Sequence, residues 1–128
     1  MIYLDSSVAL AHLLGEGQAP RQTLWLEPLL SSELLEYEIW NRLLARSAPP
    51  AVRSAAMGLI GRLQLVELSR LVLGRALEPF PVPVRTLDAL HLATAAFVAA
   101  QGQTVELASY DRRMLAAADA LRIPIGAI

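Results

Sequence analysis

At 128 residues the chain has the length of one domain, 1–128, with a core large enough to fold alone. Apolar residues make up 55% and charged residues 18%, so surplus apolar surface is expected in an Ala- and Leu-rich core or in an oligomer or partner interface. The net charge of −1 gives no global basic field for nucleic acid; the absence of Cys excludes disulfides, thiol nucleophiles and Cys-based zinc sites, and the absence of Lys (all eleven basic residues are Arg) excludes lysine chemistry.

Ile2 to Leu4 reads as a short buried strand. Ser6 or Ser7 can cap a following helix, Val8 to Leu14, which stops at Gly15. Pro20 suits the start of a short helix reaching Glu27. Leu29 to Ser31 is a second strand, and Ser32 caps a helix to about Arg46 in which Leu35, Ile39 and Leu43 recur at helical spacing. Pro49-Pro50 ends that helix and opens another, Ala51 to Leu63. Leu65 to Leu68 is a third strand candidate, Arg70 to Leu77 a helix, and Pro79, Pro81 and Pro83 hold an extended connection. Thr86 caps a strong helix, Leu87 to Ala100, closed by Gly102. Thr104 to Ser109 is a strand, Arg112 to Leu121 a helix, and Ile123 to Ile125 a last short strand. Strands alternating with helices imply an α/β fold, a three-layer α/β/α sandwich around a central parallel sheet. The start of the chain has no signal-peptide pattern and no apolar run is long enough to span a bilayer, so a soluble cytoplasmic protein is expected.

Ligands of parallel sheets bind beyond the carboxyl ends of the strands. Asp5 and Asp111 follow two predicted strands, and Asp88 lies in the first turn of a helix that opens at the same edge. Glu38 lies about two turns into its helix and requires that helix to lean across. Each has an ordinary structural reading: a cap for Asp5 or Asp111, a dipole partner for Asp88, an ion pair with Arg42 for Glu38. Jointly that reading weakens, because three of only four Asp fall at sheet-edge turns. Two carboxylates ~4 Å apart repel by ~4 kcal/mol at an effective dielectric near 20, so such a group needs protons or hard cations. Mg²⁺ and Mn²⁺ suit oxygen ligands.

Four segments resemble the PIN-domain family, and within it the small stand-alone VapC-type toxins. They are Ile2 to Leu10, with Asp5; Ser31 to Glu38, with Arg42 one turn on; Leu87 to Ala95, with Asp88; and Ala108 to Leu115, with Asp111. The resemblance spans the whole length. It implies Mg²⁺- or Mn²⁺-dependent endoribonuclease activity, an RNA substrate, a cognate antitoxin and a homodimer. Carried onto these positions, it makes Asp5, Glu38, Asp88 and Asp111 the catalytic and metal-binding acids, with Ser6 and Ser109 supporting them. Ser109 stands where the family often has Thr, and Arg122 where it often has Gly. Arg42, Arg112 and Arg113 are candidate RNA phosphate contacts, since a guanidinium matches phosphate in two-point geometry.

His91, three residues after Asp88, is a ligand or base by position, but its leucine neighbours favour a packed, hydrogen-bonded histidine; the same holds more strongly for His12. Trp25, Tyr37 and Trp40 could stack bases, yet their helical spacing with leucines favours core or dimer contacts. Phosphoryl transfer on a strand-end Asp fails for want of Lys. Two alternatives stay open: a non-catalytic interaction module on the same fold, and a PIN nuclease of RNA processing without an antitoxin.

Overall fold

The computed structural model describes residues 1–128. Its sheet has four strands, β1 (Ile2–Leu4), β2 (Leu29–Ser32), β3 (Gln64–Val66) and β4 (Glu106–Ala108), in the order β3-β2-β1-β4 and parallel throughout. Six α-helices accompany it: α1 (Ser6–Leu14), α2 (Leu34–Ala45), α3 (Pro50–Arg62), α4 (Arg70–Leu77), α5 (Thr86–Ala100) and α6 (Arg112–Ala120), together with a 3-10 turn at Gln22–Leu26. The expected parallel α/β/α architecture is therefore what forms.

The period-two geometry of a strand explains the layering. On central β1, Ile2 and Leu4 face one core and Tyr3 the other. The first core is completed by Val8 and Leu13 of α1, Leu35, Ile39 and Leu43 of α2, and Ala56 and Leu59 of α3. The second takes Leu92 and Ala95 from α5 and Met114, Ala117 and Ala118 from α6, and α4 packs on α5. Strands covered on both faces are apolar throughout, which is why β1 reads as a continuous apolar run rather than an alternating one.

Several boundaries differ from the sequence expectation, each for a local reason. Ile123–Ile125 is not a strand: Leu107 bridges Ile125 alone, between bonds from Leu107 N to Pro124 O (2.8 Å) and from Gly126 N to Leu107 O (2.8 Å), and Pro124 has no N–H to extend a ladder. β3 ends at Val66 because its neighbour β2 has already turned into α2; Leu68 N is satisfied instead by Glu33 Oε1 at 2.9 Å. β4 pairs only over the three residues that β1 offers. The segment after Pro20 tightens into the 3-10 turn. α1 begins at Ser6 with Asp5 at its N-cap, and α5 begins at Thr86 with Arg85 at its N-cap, so neither Ser6, Ser7 nor Thr86 is the capping residue. Arg122, where the resemblance expects Gly, takes the left-handed conformation with φ 60°. No helix is long and apolar enough to cross a membrane.

Candidate active site

Because all four strands run parallel, their carboxyl ends share one edge, and the chain returns to that edge after β1, β2 and β4. Asp5 follows β1, its N–H bonding Ala108 O at 3.0 Å, so the backbone ladder holds it one residue past the strand. Asp5 is buried, 5% exposed. Although it occupies the N-cap of α1, its side chain makes no capping bond. Its Oδ2 instead accepts hydrogen bonds from Ser7 Oγ (2.6 Å) and Ser109 Oγ (2.7 Å), which supplies the polar partners that a buried carboxylate needs.

Ser109 also accepts from Asp111 N at 3.0 Å, which ties the turn after β4 to Asp5. Asp111 is the N-cap of α6: Oδ1 accepts from Arg113 N (2.9 Å) and Met114 N (3.3 Å). Its other oxygen, Oδ2, accepts from Arg85 Nη2 at 2.8 Å. The same guanidinium reaches Asp88 Oδ2 through Nε at 3.1 Å. The hydrogen bond to Asp88, then the charges of Asp88 and Asp111, raise Arg85 above its ordinary pKa.

Glu38, on α2, does lean across the edge. Its Oε2 accepts from Ser6 Oγ at 3.3 Å, and its Oε1 contacts His91 Nε2 of α5. Glu38 thus pairs with Ser6 and His91 rather than with Arg42. His91 is buried, 2% exposed, and its Nδ1 lies 2.7 Å from the Tyr3 hydroxyl, which itself accepts from Ser32 N at 3.2 Å. Burial pushes the Tyr3 phenol far above its usual pKa, so it keeps its proton. An ionised Glu38 can only accept, so His91 gives it Nε2–H, and Nδ1 of a neutral ring is then left to accept from the Tyr3 hydroxyl.

These contacts bring all four predicted acids onto one network. It runs from Glu38 through Ser6 and the adjoining Asp5 to Ser109, Asp111, Arg85 and Asp88, and back along α5 to His91 and Glu38. An open groove of about 370 Å³ beside it is lined by Pro83, Val84, Arg85, Asp88 and Arg113. A second, of about 420 Å³, contains Ser6, Glu38, Arg42 and Leu87. Arg42 and Arg113 therefore flank the network, while Arg112 is exposed.

The donor set is hard oxygen, the chemistry Mg²⁺ and Mn²⁺ prefer. No three His, Asp or Glu side chains converge closely enough to hold one ion as they stand, and Arg85 takes an oxygen from each of Asp88 and Asp111. The residues fit a divalent ion in kind; direct ligation by all three Asp requires Arg85 to move.

Sequence reasoning missed Arg85, Tyr3 and Ser7. Arg85 carried a signal, a basic residue three before an Asp at a helix start. Tyr3, the one hydroxyl on an otherwise aliphatic strand, carried another. Ser7 was read only as a helix cap. Trp25 is a core residue stacked on exposed His12, with ring centroids 4.3 Å apart; Trp40 packs against the core, and Tyr37 is 64% exposed.

The PIN domain family model matches residues 2–120. Three Mycobacterium tuberculosis proteins are similar over nearly the whole chain. Ribonuclease VapC46 is 36% identical over 127 residues, covering 97% of this chain and 95% of its own. Ribonuclease VapC47 is 31% identical over 122 residues, 90% and 88%. Ribonuclease VapC35 is 29% identical over 131 aligned positions, 98% and 95%. A family match of this extent, on a parallel α/β/α fold that gathers the motif residues at one sheet edge, means that the chain belongs to the PIN-domain family.

Proposed function

We propose that the protein is a Mg²⁺- or Mn²⁺-dependent endoribonuclease, acting in the cytoplasm as the toxin of a toxin–antitoxin pair. The observation that carries the reading is the meeting of the four acids at the carboxyl edge of the sheet: hydrogen bonds link Asp5, Asp111 and Asp88 through Ser109 and Arg85, and Glu38 bonds Ser6, the chain neighbour of Asp5. Its relatives, named as VapC ribonucleases, support the substrate class, and the toxin role follows from the resemblance to the VapC-type toxins.

In this reading Asp5, Asp88 and Asp111 hold the ion, with Glu38 beside it. A divalent ion, when bound, supplies a water acidic enough to attack at neutral pH and positive charge beside the phosphate. Ser7 and Ser109 fix Asp5 through Oδ2 and leave its Oδ1 without a protein partner. His91 holds Glu38 through Oε1, and Glu38 would take the proton of the attacking water on Oε2, whose one bond is a long contact to Ser6. Arg42 and Arg113, one in each groove, contact the RNA phosphates on either side, with exposed Arg112 a further contact.

The antitoxin and the second copy of a homodimer cover apolar surface that the monomer leaves in water. Leu26, Leu44, Met57, Leu71 and Leu77 are each more than 60% exposed. A short open reading frame immediately upstream, encoding a DNA-binding protein, distinguishes a toxin from an RNA-processing nuclease.

The test is cleavage of single-stranded RNA by wild type and Asp5→Asn, with Mg²⁺, with Mn²⁺ and with chelator. Wild type cleaves only with the ions, and Asp5→Asn, which keeps the size of the side chain, does not cleave. Absence of cleavage by wild type with either ion ends the nuclease reading and favours the non-catalytic module. Full activity in Asp5→Asn relocates the site.

A further inference from the structure

Arg85 stands where helix stability gives no reason for an arginine beyond its i, i+3 ion pair with Asp88. It is the N-cap of α5, a position that favours a side-chain oxygen able to accept a free backbone N–H, and a guanidinium has no acceptor. Its charge also opposes the positive end of the helix dipole. Its side chain is 61% exposed, yet it turns back onto carboxylates from two different elements, Asp88 of α5 and Asp111 before α6.

The oxygens of Asp111 explain what this contact does. Oδ1 is engaged by Arg113 N and Met114 N, so Oδ2 alone remains, and Arg85 Nη2 takes it at 2.8 Å. A divalent ion on that oxygen sits next to the guanidinium, and two cations so close repel. Ion and guanidinium therefore compete for Asp111 Oδ2. The freed side chain stays on the groove wall that it shares with Arg113 and Asp88. There the next available anion is a phosphate, which a guanidinium grips with two parallel N–H donors.

We propose that Arg85 is a substrate-positioning residue, shared between the site's carboxylates and an RNA phosphate: ion binding at Asp88 and Asp111 releases the guanidinium to the RNA. The proposal rests on the metal-dependent nuclease reading above. It gives Arg85→Gln two effects of opposite sign, which loss of structure cannot produce together.

The experiment titrates Mn²⁺ into wild type, Arg85→Gln and Arg113→Gln by calorimetry, then measures KM for a short single-stranded RNA at saturating Mn²⁺. Arg113 lines the same groove and meets Asp111 only through its backbone N–H, which the substitution keeps, so Arg113→Gln controls for the general loss of positive charge. Arg85→Gln binds Mn²⁺ about threefold to tenfold tighter than wild type, the scale of releasing exposed ion pairs, while its KM rises by about threefold to tenfold. Arg113→Gln keeps wild-type Mn²⁺ affinity within about twofold. Mn²⁺ affinity unchanged in Arg85→Gln, or raised equally in both variants, overturns the proposal, as does an unchanged KM. If no form binds Mn²⁺, the metal reading falls and takes this proposal with it; if all bind it alike, only the role of Arg85 falls.

Discussion

The Tyr3 hydroxyl lies 2.7 Å from His91 Nδ1 while the Glu38 carboxylate, which can only accept, meets Nε2, and these two partners together set which imidazole nitrogen carries the proton at the sheet edge. Tyr3 is wholly buried on the central strand, and its oxygen already accepts the Ser32 N–H. The His91 Nε2–H tautomer is therefore the expected species, and long-range ¹H–¹⁵N correlations at neutral pH read it directly. Tyr3→Phe leaves Ser32 N–H unpaired and removes the donor to Nδ1. It should destabilise the fold by about 1–3 kcal/mol, the cost of a buried group left unsatisfied, measured by urea unfolding. A dominant Nδ1–H tautomer in wild type contradicts this account.

Asp111 has two tasks on separate oxygens, and two substitutions separate them. Asp111→Asn retains an acceptor for the Arg113 and Met114 amides but loses the charge facing Arg85. Its stability stays within about 0.5 kcal/mol of wild type, as for near-equivalent caps, while RNA cleavage is lost. Asp111→Ala loses cleavage as well and about 1 kcal/mol of stability with the cap. Equal stability of the two variants would show that the cap contributes nothing.

Arg122 holds φ 60°, a conformation that costs an L-residue roughly 1–2 kcal/mol and glycine almost nothing. Its side chain is exposed. Arg122→Gly is expected to stabilise the protein by about 0.5–1 kcal/mol after the larger entropy of the unfolded glycine is subtracted, with cleavage unaffected. Denaturation midpoints compare the two proteins, and a lower midpoint for the glycine variant refutes the strain assignment.

Although His12 is largely exposed, the partial desolvation of its ring, which lies tilted against Trp25, pushes it below its ordinary pKa. The folded state therefore binds fewer protons here than the unfolded state. This contribution to stability is fully present above the unfolded histidine value near 6.5 and is lost as pH falls toward the depressed folded value. His12→Gln should flatten the decline in stability between about pH 7 and pH 5. A His12 titration at or above the free value, by proton NMR, rules this out.

Much of the fold was legible because its signals are local. The apolar run Ile2–Leu4, the helical spacing of Leu35, Ile39 and Leu43, and Gly15 and Gly102 after their helices needed no distant partner to be read. Boundaries that depend on a neighbouring strand were not local: β3 stops where β2 turns away, and Pro124 leaves a single bridge where a strand was expected.

For the candidate site, the sequence by itself determined which acids lie at element ends and, through four motifs in order, the family to which they belong. The strand direction then followed from the alternation of elements, because parallel strands bring their carboxyl ends to one edge. Only the tertiary structure decided the partners. Arg85 joins Asp88 to an Asp111 23 positions further on, and His91 meets a Glu38 53 positions away. Hydrogen bonds act over about 3 Å, and which side chains come that close is set by how α2 and α5 pack on the sheet rather than by their spacing along the chain.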